Sequence, residues 1–195
     1  KLGIILIFLA GACFGFLGIF GKYFYSLGFD TGEILTVRFI IASLVLAIYF
    51  CYHYIVNKRN YFYTSKGQFV LSSLLGILGY ALFSSLLFIS FKYLSVSLAV
   101  MLLFTFPVFV FIGSVIWHKE KVTKTKLISL FLALLGLQFL FSVEVKVDSL
   151  QGVFYALGSA VFYAIYILVS DKYQKNIHPL TSSYYVISAS ALILL

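Results

Sequence analysis

The sequence predicts an all-α polytopic membrane bundle. Three observations carry that prediction. Apolar residues make up 63% of the chain and charged residues only 10%, with a mean hydropathy of +1.08. Apolar stretches near 20 residues long recur along its length, and the connectors between them are brief. A soluble domain carries about 25% charged residues to cover its water-facing surface; this chain has too few, so lipid must be its outer solvent.

A spanning helix needs about 20 apolar residues at roughly 1.5 Å each. Seven stretches meet or approach that length: residues 2–21, 32–52 (interrupted by Arg38), 68–91, 96–117, 126–143, 150–170, and a seventh that starts near Thr181 and runs to Leu195. Thr31, Ser95 and Ser149 stand where side-chain caps belong. Only Lys92 to Ser95 separate the third stretch from the fourth. Connectors so short force neighbouring helices to run antiparallel. The chain starts on Lys1 and stops inside an apolar stretch, so it is expected to be a piece of a longer protein. The first stretch is too long for the core of a signal peptide.

The formal charge is +8. The basic residues form short clusters between apolar stretches, as on cytoplasmic loops, and no basic stripe interleaved with exposed aromatics suggests nucleic acid. One side collects Lys1, Lys58, Arg59, Lys66, Lys119, Lys121, Lys124, Lys126, Lys172 and Lys175; the other collects Lys22, Lys92 and Lys146. Ten against three places the N-terminus in the cytoplasm. Cys13 and Cys51 fall at different depths of antiparallel helices, so no disulfide is expected. His53, His118 and His178 lie at cytoplasmic helix ends without metal-like partners. No metal and no cofactor are expected, and no phosphate loop, Ser-His-Asp set or HExxH motif points to an enzyme. Glu144 and Asp148, with Lys146 between them, read as a solvated outer loop.

A shift of about 149 residues lays the first stretch over the sixth. Gly3 meets Gly152, Phe14 meets Tyr163, Gly15 meets Ala164 and Lys22 meets Asp171. The offset is five helices, an odd number, so the second copy is inverted in the membrane. Inverted repeats are common in secondary transporters, whose substrate sites lie near the midplane.

Several stretches together resemble a known family. Phe14-Gly15 leads to Lys22, and Arg38 is followed by Phe39. Gly79-Tyr80 leads to Phe91-Lys92-Tyr93-Leu94-Ser95-Val96-Ser97-Leu98-Ala99; then come Pro107, Glu120 and Leu132 to Gly136. This order and spacing resemble the EamA domains of the drug/metabolite transporter superfamily. Phe14 stands where that family usually has Trp, and Lys119 where a Gly usually precedes the Glu. The resemblance implies a ten-helix transporter of the plasma (inner) membrane that exports or exchanges small organic molecules, amino acids first. Residues 1–145 would be one repeat and 146–195 the start of a second. The expected partners are a small-molecule substrate and the bilayer; a homodimer is an open option. The same superfamily includes nucleotide-sugar and sugar-phosphate exchangers, the alternative within transporters. A seven-helix receptor fits the helix number but not the repeat, and a lipid-acting enzyme would need a polar catalytic cluster that is missing.

Arg38 is the sharpest candidate for substrate contact. It lies about 10 Å into the second helix, where an Arg costs about 2.5–3.5 kcal/mol to insert. It is either a cavity-facing anchor for an anionic group or a structural ion pair or snorkelling side chain, with Glu33 as an awkward partner. Gly11, Gly15, Gly18 and Lys22 share one helical face. The glycines read as a close-packing stripe, and Lys22 as either inward-facing or simply interfacial. Pro107 removes a backbone bond to Leu103, giving a hinge or a static bend. Tyr80, Ser84 and Phe88 share a face of the third helix; with Thr105, Tyr163 and Tyr166 they could line an aromatic cavity or be ordinary packing.

Overall fold

A computed structural model describes residues 2–58, 60–141 and 149–195. Among them the chain is all-helical: α1 (Leu2–Ser26), α2 (Thr31–Asn57), α3 (Lys66–Tyr93), α4 (Val96–Trp117), α5 (Lys124–Phe141), α6 (Leu150–Tyr173) and α7 (Pro179–Leu194). Helices α2, α3, α4 and α6 are each long and apolar enough to cross a membrane. Large apolar side chains such as Phe8, Ile48, Ile116 and Phe154 are more than two-thirds exposed. Water would penalise that surface heavily; hydrocarbon does not.

The expected boundary of the fourth helix holds at both ends. Most others extend further. Helix α1 continues past Gly21 to Ser26, and α2 past Tyr52 to Asn57. The reason is common to both: an interfacial Lys, Tyr or His ends a hydrophobic run without ending the backbone hydrogen-bond ladder. Helix α7 starts two residues earlier than expected because Pro179, whose missing N–H costs nothing at a first helical position, opens it. The fifth helix begins at Lys124 rather than Lys126. Its expected end at Val143 lies outside the described residues, as do Lys1, Arg59, Glu144, Lys146 and Asp148.

Of the three expected caps, Ser95 holds: its hydroxyl accepts from the Leu98 N–H at 3.3 Å. Thr31 is corrected. Asp30 is the cap residue of α2, and Thr31 is already inside the helix, where its hydroxyl meets Tyr25. Ser149 takes the cap position of α6 but makes no side-chain cap bond. Ser65, at the start of α3, caps through the Gln68 N–H.

Helix α3 is the axis of the bundle, packed by α6, α7, α2 and α4. Small residues let the backbones approach. Gly152, Ala156, Ala160 and Ala164 recur every four residues and form the buried stripe of α6. A Cβ on Gly152 would stand 2.6 Å from Leu94 Cγ and 2.7 Å from Tyr93 Cβ. This contact also places the start of α6 beside the end of α3, where α1 finishes. Gly76 lies against the Val186 carbonyl of α7, and Gly79 against Tyr166, whose ring an added Cβ would meet at 3.2 Å. Between these glycines α3 changes its hydrogen-bond register: Leu75–Ala81 is a π-helical segment inside an otherwise α-helical rod. The sequence reading has one unbroken helix there. Helix α4 is broken at Phe104 and Thr105, just before Pro107.

At the basic end one amide ties three helices together. Gln174 donates to Ser72 at 2.8 Å and accepts from Ser170 at 2.7 Å and Ser182 at 2.9 Å. Helices α1 and α5 are peripheral. Helix α5 meets the bundle chiefly along the second half of α4.

Candidate functional site

Helix α2 carries Arg38 one residue before Phe39, a fully packed core side chain that fixes the rotation of the helix. Arg38 is therefore turned toward α1. Its guanidinium carbon sits 5.1 Å from the Phe39 ring centre and 5.8 Å from that of Phe88 on α3, within cation–π range. Among the described residues no carboxylate pairs with it. Glu33 is occupied elsewhere: its Oε2 accepts from the Asp30 N–H at 2.8 Å, the return arm of a capping box. Arg38 and Glu33 nonetheless line one cavity of about 670 Å³ between α1 and α2. Its walls are Phe16, Phe20, Phe24, Val37 and Ile41, and Phe88 closes its back.

Lys22 does not join that cavity. It is exposed and borders a second one, of about 560 Å³, with Tyr25, Asp30 and Lys92. There Lys92 Nζ donates to Asp30 at 2.6 Å. Tyr25 donates to the Phe88 carbonyl at 2.9 Å, so the 2.7 Å contact with Thr31 has the threonine hydroxyl as donor. These bonds tie the α1–α2 connection to the end of α3. The hydrogen bond from Lys92 holds the Asp30 carboxyl below its ordinary value of 3.8. A depressed folded-state value stabilises above the ordinary value, and the gain is lost as pH falls through the depressed one. The stabilisation from Asp30 is therefore constant from neutral pH down to about 5 and declines only below about 4. The pair is exposed and screened, so the whole effect is expected to stay below about 1 kcal/mol. Thermal unfolding against pH, with Asp30→Asn losing the acid limb, checks this.

The tyrosines form a separate wall. Tyr80 meets Phe39 at 5.5 Å and Tyr166 at 5.7 Å between ring centres; Tyr163 stacks on Tyr166 at 6.3 Å and meets Phe106 at 4.8 Å. The sequence-expected group Tyr80, Tyr163 and Tyr166 is thus brought together across α3 and α6, with Phe39 linking it to the Arg38 side. Ser84 is buried on the same face of α3, its hydroxyl without a hydrogen-bond partner among the described residues. Phe88 belongs to the Arg38 cavity. Thr105 serves the break in α4: its hydroxyl donates to the Leu102 carbonyl at 2.7 Å.

Of the glycine stripe, Gly18 approaches Val96 of α4, while Gly11 and Gly15 have no neighbour within 4 Å of an added Cβ. Gly21, outside the expected stripe, packs on Phe88 and Phe91: an added Cβ would stand 3.1 and 3.3 Å from their rings. Among the described residues no group of His, Cys, Asp and Glu could hold a metal ion. Cys13 and Cys51 are free and exposed.

Residues 1–142 match the EamA-like transporter family. The chain belongs to that family. No curated protein and no solved structure gives a significant match. As an EamA-family chain it is a helical membrane transporter, and the apolar faces of its helices meet the bilayer. The EamA resemblance expects glycine before Glu120, and the backbone explains why. Lys119 sits at φ +52°, a left-handed conformation that costs an L-residue about 1–2 kcal/mol. Lys119→Gly is expected to raise unfolding stability by about 0.5–1 kcal/mol once the added chain entropy is offset. Thermal melts in detergent measure it.

Sequence reasoning missed three features of this region. The Asp30-x-x-Glu33 spacing at the start of α2 was the signature of the capping box. The Gly76-x-x-Gly79 pair signalled close approach. Nothing in composition signalled Gln174, whose role depends on serines from α3, α6 and α7 meeting in space.

Proposed function

We propose that this chain works as a secondary transporter that exports small organic metabolites, amino acids first, across the plasma (inner) membrane by alternating access. The observation that carries this reading is Arg38: a guanidinium on an apolar cavity, within cation–π range of two phenylalanine rings and without a carboxylate partner among the described residues. Retaining such a group at membrane depth is costly and points to a ligand. The anchor would hold a substrate carboxylate, with Tyr80, Tyr163, Tyr166 and Ser84 forming the far side of the path. Arg38 and Lys22, the two cations that a phosphate-bearing substrate could engage together, line different cavities, which favours amino acids over nucleotide sugars.

Residues 1–145 would form one repeat and residues 146–195 the opening of an inverted second one. The opposed directions of α1 and α6 support this, as does the packing of α2 against α7, equivalent helices of the two repeats. The basic ends of α2, α3, α5 and α6 would face the cytoplasm together with the N-terminus. Reconstitution of the full-length protein in liposomes, with counterflow of labelled amino acids and nucleotide sugars, tests the proposal. Saturable amino-acid exchange is expected; liposomes that pass none of these solutes would overturn it.

Helix α4 supplies the moving part in this reading. The Leu103 carbonyl has lost its helical donor to Pro107, while the Thr105 N–H turns to Leu102 at 3.2 Å. Pro107→Ala is expected to slow exchange about 3- to 10-fold and to shift apparent affinity with it, since hinge substitutions often change the two together. An unaltered rate would make the bend static.

A further inference from the structure

We propose that the groove between α4 and α6 binds an anionic phospholipid, with an acyl chain along the seam and the phosphate on Lys119 and Lys172. The groove has a volume of about 620 Å³. Phe109, Ile112 and Ile116 wall it from α4, and Val161 and Ile165 from α6; no described residue of α5 lines it. Ile112, Ile116 and Ile165 are exposed, so the groove opens on the bilayer. Gly113 lets the two helices close at its base: a Cβ there would collide with the Leu168 side chain.

One end of this groove is cationic. Lys119 lines it beside Trp117. The Lys172 ammonium lies 5.5 Å from the centre of the Trp117 ring, within cation–π range. Neither lysine has a carboxylate partner among the described residues. The acidic groups nearby are engaged elsewhere: Glu120 pairs with Lys126, and Asp171 lies 3.9 Å from the His118 imidazole. Lys119 also keeps its left-handed backbone, φ +52°, where the EamA resemblance expects glycine. Strain of that kind clusters at functional sites; here it comes with an ammonium at the mouth of an apolar groove. A tryptophan and lysines at one level mark the boundary between hydrocarbon and water.

Groove and lysines together select one ligand class. The acyl chain of any lipid fits an apolar seam, so the seam alone discriminates nothing. Two lysines at its end attract a phosphate whose charge no second group cancels, the headgroup of an anionic lipid. Phosphatidylcholine brings its own cation against the same lysines. A free phosphate lacks the chain that would cover the exposed isoleucines.

Trp117 is the single tryptophan of the sequence and reports on the site. Full-length protein with Trp117 as its only tryptophan is reconstituted in vesicles of two lipids. One is phosphatidylcholine with brominated chains; the other is phosphatidylglycerol with unbrominated chains. Bromine quenches an indole that it touches, so fluorescence against mole fraction gives each lipid's share of the groove. Phosphatidylglycerol is expected to compete about 5- to 20-fold better than phosphatidylcholine, the scale of two lysines at a membrane surface. Lys119→Gln combined with Lys172→Gln should bring that ratio to about 1, the level without charge selection. Arginine at both positions should retain the preference. Lys58→Gln, at the end of α2, should leave it unchanged. Quenching by the brominated lipid alone scales each variant and shows that it is folded with Trp117 at the groove.

Equal competition by the two lipids in the wild type overturns the proposal. So does a preference that survives in the double glutamine variant, which would put the headgroup on other cations. Loss of the preference in millimolar glycerol 3-phosphate overturns it as well, because the phosphate would then bind without its chains. Absence of quenching by the brominated lipid in the wild type, the result if a second copy or another helix covers the groove, has the same consequence.

Discussion

Replacing Arg38 with glutamine is expected to lower the proposed amino-acid exchange about 10- to 100-fold. Hydrogen bonds to a charged group contribute about 1.5–3 kcal/mol, and each 1.4 kcal/mol is a factor of ten in affinity. The loss should appear in apparent affinity before it appears in maximal rate. Arg38→Lys keeps the charge but not the planar fork, so an intermediate loss is expected. Stability should not fall with transport. No described carboxylate depends on Arg38, and its removal strands no opposite charge among those residues. Proteoliposome kinetics beside detergent melting curves separate the two effects. Wild-type kinetics in Arg38→Gln would make the guanidinium a snorkelling side chain.

Gly76→Val is expected to have the largest effect on the fold. The new side chain would run into the Val186 carbonyl of α7. It would also spread the contact in which Ser190 donates to the Gly76 carbonyl at 2.9 Å. Overpacking costs about 1–3 kcal/mol, and a strained or lost buried hydrogen bond adds about 1 kcal/mol. A total of roughly 2–4 kcal/mol is a large share of a typical stability of about 5–15 kcal/mol. Reduced folded yield and an earlier melt in detergent are the expected readouts. Gly11→Ala and Gly15→Ala, at sites with no neighbour within 4 Å, serve as near-neutral references.

Which parts of this molecule the sequence displays follows from what each part depends on. Helix existence depends on length and polarity along the chain, so all seven helices were legible, and Val96–Trp117 was legible to the residue because Ser95 caps one end. Helix ends at Ser26 and Asn57 depend on backbone hydrogen bonds continuing through polar residues, which a hydropathy boundary cuts short. The turn at Lys119 was flagged by a missing glycine, and its positive φ supplies the reason.

The site was partly legible for a similar reason. A charge inside an apolar stretch announces itself, so Arg38 was visible. Its surroundings were not, because Phe16, Phe20 and Phe88 reach it from α1 and α3. Lys22 shares a helix with the cavity wall yet ends up in a different recess. The π segment was invisible, since a change of hydrogen-bond partner leaves no mark on residue type.

That segment gives the central rod of the bundle some slack. In Leu75–Ala81 the carbonyls reach five residues ahead instead of four, so this stretch stores about one residue more than its length requires. Were the surplus to travel along the rod, every residue it crossed would swivel by about 100° and advance by about 1.5 Å. Tyr80 lies within this stretch and Ser84 just beyond it. A screw motion confined to a few turns could therefore exchange which side chains face the tyrosine wall, without moving either end of the rod.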